Sequence, residues 1–153
     1  MTKRSAGVLL YRFRACEPEV LLVHPGGPIW AKRDAGAWSI PKGEPSPDED
    51  ILAAAKRELR EETGLSVEGP FLPLEPVRQP GGKIVHAWAV AGDGDVESIT
   101  SNTFSMEWPP RSGQTRQFPE VDRAAWFGLS DARHKITKGQ VVLIDQLRRL
   151  LTT

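Results

Sequence analysis

The sequence predicts an α/β layered domain, and two observations carry that prediction. Short apolar runs bounded by Gly/Pro turns alternate with two stretches of helical character. One of the runs, residues 83–91 (KIVHAWAVA), is largely apolar on both alternating faces, with Ile84, His86, Trp88 and Val90 on one side and Val85, Ala87 and Ala89 on the other. Such a strand belongs inside a sheet covered on both sides. The 153 residues suit a single domain, expected to span 1–153, with a proper core.

Residues 5–13 (SAGVLLYRF) and 19–24 (EVLLVH) form the first expected strand pair, joined by a turn at 15–18. Lys3 and Arg4 enter the first strand as a solvated basic pair. Residues 25–37 form a Gly/Pro-rich loop carrying Trp30; a loop aromatic is also able to stack on a base. Residues 70–79 (PFLPLEPVRQ) are expected to pair with 83–91 around the Pro80-Gly81-Gly82 turn. Residues 99–108 read as a further strand or irregular edge. Residues 109–119 read as a polar, mobile loop with Arg111 and Arg116, either plain surface or a lid over an anionic substrate. A helical turn starts at Ser130. Thr137 caps the last helix, 138–151, whose Val141, Ile144, Leu147 and Leu151 make an apolar stripe.

Composition excludes several functions. Twenty basic and twenty acidic side chains give no net charge, so no global basic field draws the chain to a nucleic-acid duplex or a membrane. No apolar run reaches spanning length and the N-terminus MTKRSAG lacks a signal pattern, so a cytoplasmic protein is expected. The single Cys16 makes no intrachain disulfide, and His24, His86 and His134 lack zinc-ligand spacing.

The informative stretch is 43–65 (GEPSPDEDILAAAKRELREETGL). Its alanines, leucines and charges favour helix, and Gly64 suits the left-handed C′ position. The start has two candidates: a capping box at Ser46-Pro47-Asp48-Glu49, or Asp50 as N-cap before the apolar run. Glu58, Glu61 and Glu62 fall at i, i+3 and i+4, on one face within a turn. Three like charges there need compensation. A hard divalent cation such as Mg²⁺ provides it in one reading. In the other, the face is solvated and paired locally with Lys56, Arg57 and Arg60.

The wider spacing resembles the Nudix box of the Nudix hydrolases. Gly43 is followed after five residues by Glu49, after seven more by Arg57-Glu58, then by Leu59, Glu61-Glu62, Gly64 and Leu65. The resemblance implies an α/β/α sandwich with a mixed sheet, the box helix on one side and the C-terminal helix on the other. It implies Mg²⁺, with Mn²⁺ as a substitute, held by Glu58, Glu61, Glu62 and the Gly43 carbonyl. Arg57 would orient the glutamates, and Asp50 would be the N-cap, leaving Glu49 to support Arg57 or a metal water. Trp38-Ser39-Ile40-Pro41-Lys42-Gly43 is similar to the WxxPKG lead-in of some family members and implies a phosphate contact by Lys42. Arg4 is a second implied phosphate contact. Glu120, six residues before Trp126, stands where the family often has a further ligand or general base, preferred over Glu107. The implied partner is a small phosphoanhydride substrate, foremost a nucleoside triphosphate. A dinucleoside polyphosphate is the alternative; no tyrosine follows the box to support it, Tyr11 being the only one. A non-catalytic nucleotide-sensing module is a reading of another class, disfavoured by the complete set of glutamates.

Overall fold

The computed structural model describes residues 3–97 and 99–152. Strands β1 (Arg4–Arg14) and β2 (Glu17–Pro25) form an antiparallel hairpin closed by Ala15 and Cys16. Both have positive φ, 51° and 68°, the requirement of a two-residue turn that follows the strand twist. The short β3 (Lys42–Gly43) lies antiparallel to the start of β1, with Ala6 opposite Gly43. Helix α1 (Ile51–Thr63) follows. Then come β4 (Leu72–Pro73), β5 (Val77–Arg78) and β6 (Ile84–Ala91). A separate ribbon pairs β7 (Thr103–Glu107) with β8 (Thr115–Pro119). Strand β9 (Val121–Gly128), α2 (Leu129–Lys135), a 3₁₀ turn at Lys138–Gln140 and α3 (Val141–Leu151) complete the chain.

The main sheet runs β4-β6-β1-β2-β9, with β3 on β1 and β5 on β6. It is mixed: β1 and β6 are parallel from Arg4↔Ile84 to Tyr11↔Ala91, and the remaining pairs are antiparallel. Alternation along β1 sends its side chains into two cores. Ala6, Val8 and Leu10 pack with Ala54, Ala55 and Leu59 of α1. Leu9 packs with Leu143, Ile144 and Leu147 of α3. The sheet therefore lies between the box helix and the C-terminal helix, as expected. Strand β6 divides likewise, with Val85, Ala87 and Ala89 on the α3 side and Val90 on the α1 side.

Three local expectations are corrected. Residues 70–79 are not one strand. Pro73 faces Trp88 while Val77 faces Val85, so four steps on one chain match three on the other, and the pairing breaks between them. Pro76, which has no N–H to donate, sits in that break. Residues 109–119 are not all loop, because 115–119 is β8, hydrogen-bonded to β7. The last helix is α only from Val141; Thr137 precedes the 3₁₀ turn and its side chain makes no cap bond.

Candidate active site

Helix α1 begins where the second candidate placed it. The Asp50 carboxylate accepts from Ala53 N–H at 3.0 Å. At the far end Gly64, at φ 79°, donates its N–H to Arg60 C=O at 2.7 Å. With Asp50 capping, Glu49 is free, and it turns to Arg57.

Arg57 organises the polar face. Its Nε and Nη2 donate to the two Glu49 oxygens at 2.9 and 3.0 Å, a bidentate pair. Its Nη1 donates to Glu58 at 2.8 Å and Glu61 at 2.9 Å, and Nη2 also reaches Glu44 C=O at 3.2 Å. One planar guanidinium thus ties the approach loop to the helix and fixes two carboxylates. Its hydrogen bond, with help from Ser46 N–H, pulls the Glu49 carboxyl down to about 2.

Glu58 and Glu62 face the sheet, Glu58 buried and Glu62 partly so. Glu58 is 9% exposed and lies against the Cα of Gly43, where a Cβ would overlap its carboxylate. Burial raises its affinity for a proton against the pull of Arg57. Glu62 accepts from Lys42 N–H at 3.3 Å. Burial, then repulsion from Glu58, pushes it up to about 8. Lys42 is shifted the opposite way, its ammonium disfavoured by burial and by the nearby Lys83.

Glu120 joins this group across the fold. It lines a cavity of about 180 Å³ together with Ser39, Ile40, Lys42, Glu62 and Val121. Its backbone is pinned on both sides: the N–H donates to Asn102 C=O at 2.8 Å, and its C=O accepts from Gly26 N–H at 2.9 Å. Its charge adds to the repulsion on both Glu58 and Glu62. Gly43, Lys42, Arg57, Glu58, Glu61, Glu62 and Glu120 are therefore brought together from three parts of the chain. Arg4 is not in that cavity. It lines another, of about 400 Å³, with Lys3 and the 44–49 segment.

Among the described residues no three His, Cys, Asp or Glu side chains already converge as metal ligands. Glu58 and Glu61 instead each direct an oxygen to Arg57. The donor set nevertheless suits a hard cation: carboxylate oxygens beside a glycine carbonyl that has no Cβ to block approach. The Glu62 carboxyl, pushed up to about 8 by burial and then by the like charge of Glu58, is also a group a divalent ion would relieve.

Sequence reasoning did not single out Ile29, Phe104 and Met106, which wall an apolar cavity beside Glu120. Trp30, flagged as a stacking aromatic, belongs to the same cavity. Phe104 and Met106 alternate with polar residues, the signal of a half-covered strand, but nothing in the sequence places that face beside the loop that carries Ile29.

The model of the NUDIX domain matches residues 1–147. Solved structures of the same fold include an Ap4A hydrolase binary complex from C. elegans, 22% identical with TM-score 0.67, covering 97% of this chain and 98% of that one. They also include the NUDIX domain of Shewanella oneidensis NrtR complexed with ADP ribose, 19% identical with TM-score 0.68, covering 99% and 89%. A mutT/nudix family protein from Listeria innocua is 17% identical with TM-score 0.66, covering 98% and 94%. The sheet between two helical layers and the polar face of α1 are thus the parts of a NUDIX domain. This chain belongs to the Nudix family. No helix among the described residues is long and apolar enough to cross a membrane.

Proposed function

We propose that this chain hydrolyses a phosphoanhydride bond in a nucleoside diphosphate-linked substrate, with a nucleoside triphosphate as the leading candidate. The observation that carries the reading is the convergence of Glu58, Glu62 and Glu120 with Lys42 and Gly43, in a geometry where the carboxylates repel each other. Glu58, Glu61, Glu62 and the Gly43 carbonyl would hold Mg²⁺ or Mn²⁺. When bound, the ion supplies neutralisation of phosphate charge and lowers the pKa of an attacking water.

The remaining work falls to side chains. Arg57 keeps Glu58 and Glu61 in one orientation and anchors the approach loop through Glu49. Lys42 lies beside the phosphate chain as a point charge. A carboxylate, Glu120 or one of the box glutamates, takes the proton from the water as its oxygen bonds to phosphorus. The bridging P–O bond breaks, and the leaving phosphate carries away the electron pair. The products are a nucleoside monophosphate-type fragment and phosphate or pyrophosphate.

Chromatography of the products formed from a nucleotide panel with Mg²⁺, with phosphate and pyrophosphate release measured beside it, tests this. Turnover of nucleoside triphosphates, abolished by EDTA, is expected. Turnover confined to dinucleoside polyphosphates would favour the substrate class suggested by the WxxPKG lead-in. Tight nucleotide binding with no turnover would favour a sensing module, and full turnover in excess EDTA would overturn the metal mechanism.

A further inference from the structure

The cavity that holds Glu62 and Lys42 does not end at Glu120. Pro25 and Glu120 also line a second cavity, of about 280 Å³. Its walls are Gly26, Gly27, Ile29 and Trp30 from the loop after β2, and Phe104 and Met106 from β7. Ile29 is 55% exposed and Trp30 38%. Two large apolar side chains thus stand in water around a concave surface, although the chain has a well-filled core.

The walls are held from behind. Phe104 rests on Phe118 across the ribbon, with ring centroids 6.0 Å apart. It also lies against Gly27, where a Cβ would come within 2.9 Å of the ring and where φ is 97°. Gly26 donates to Glu120 C=O, and the buried His24 ring bridges Arg33 C=O at 2.6 Å and Asp122 at 2.9 Å. The loop that carries Trp30 is therefore tied to Glu120 directly through Gly26 and to Asp122 of β9 through His24. Arg33 sits over the Trp30 ring at 5.3 Å.

We propose that this cavity takes the nucleobase of the substrate by stacking, with the phosphates running past Glu120 toward Lys42 and Glu62. The inference rests on the nucleotide reading above and names the site that would make the substrate a nucleotide rather than a bare sugar polyphosphate. The volume lies at the low end of small-molecule sites and suits one ring system. Among the described residues no Asn, Gln, Ser or Thr side chain lines it, and Glu120 is its one charged group. Side-chain donors and acceptors are few, the Glu120 carboxylate and the Trp30 indole N–H, so ring faces, which every base presents, carry most of the recognition. The site accepts all four bases, with purines favoured by their larger area.

The test measures binding of AMP, GMP, CMP and UMP, with ribose 5-phosphate as the baseless probe, to the full chain by tryptophan fluorescence and calorimetry. All four nucleotides should bind within about tenfold of one another, and each at least about tenfold better than ribose 5-phosphate. Trp30→Ala and Phe104→Ala should weaken AMP by about 5- to 100-fold, the range for losing one stacking partner, and leave ribose 5-phosphate unmoved. Trp30→Phe should restore most of the affinity. Trp30 is outside the core, so its variants should fold even if Phe104→Ala does not. AMP binding no better than ribose 5-phosphate would overturn the proposal, as would equal losses for both probes in Trp30→Ala. If nucleotides are hydrolysed but Trp30→Ala leaves KM unchanged, the base site fails while the hydrolase reading stands. If AMP binds through Trp30 but no nucleotide is hydrolysed, the base site stands and the hydrolase reading fails.

Discussion

Glu62→Gln should stabilise the metal-free protein near neutral pH. The Glu62 carboxyl has an ordinary value of 4.5 and is held at about 8 in the fold. The folded state therefore binds more protons than the unfolded chain between those limits. Stability from this group is full below pH 4.5 and is lost as pH rises toward 8. At pH 7 the gap from 4.5 costs the folded state about 3 kcal/mol, at about 1.4 kcal/mol for each tenfold step. Glutamine keeps the oxygen that accepts from Lys42 N–H and has no proton to retain. It also removes the charge that favours the partly buried Lys42 ammonium, which trims the gain. The expected net is about 2 kcal/mol at pH 7, equivalent to about 4–8 °C in Tm for a domain of this size. Urea unfolding in EDTA, run from pH 4 to 8.5, measures it. The gain should vanish at pH 4, where both side chains are neutral. A gain of the same size at pH 4, or none at pH 7, would refute the burial-and-repulsion argument.

Other predictions follow from the same geometry. Glu58→Gln should lower kcat by about 10²-fold or more with little change in fold stability, since it removes one preorganised charge; steady-state kinetics beside a thermal melt checks both. Glu120→Gln should collapse kcat and remove a limb of its pH profile if Glu120 is the base, whereas a smaller loss rescued by extra metal would assign it an outer contact. Gly43→Ala should displace the Glu58 carboxylate, the movable end of a side chain, so Mn²⁺ affinity by calorimetry should fall while stability changes by less than about 1 kcal/mol. Glu49, held at about 2, contributes stability that is present above pH 4.5 and lost as pH falls toward 2, so Glu49→Gln should flatten the acid limb of an unfolding-versus-pH curve.

The box helix was legible because its signals are local. Asp50, the apolar spacing through Ala54, Ala55 and Leu59, and Gly64 each act within a turn or two of the residue that states them. The relation of Arg57 to Glu49 needed the loop as well, and the resemblance supplied it. The ribbon was less legible. Strand β8 has no deeply buried face, and only Phe118 on it is even partly covered, so its polar sequence carries no alternating signal. Its pairing depends on β7, itself only half covered. The apolar cavity was the least legible part, because Ile29 and Phe104 lie far apart in sequence and meet only when the ribbon folds against the loop after β2. Arg4, a phosphate contact implied by the resemblance, lines the cavity bounded by residues 44–49 rather than the one that holds Lys42.

The proposed hydrolysis requires the glutamates of α1 to hold a divalent cation. Anomalous diffraction from crystals soaked in Mn²⁺ tests it most directly. A peak bounded by the carboxylates of Glu58, Glu61 and Glu62 and the carbonyl of Gly43 is expected, absent in Glu58→Gln. Mn²⁺ density found only elsewhere on the molecule, with the three glutamates still turned to Arg57 and Lys42, would contradict it.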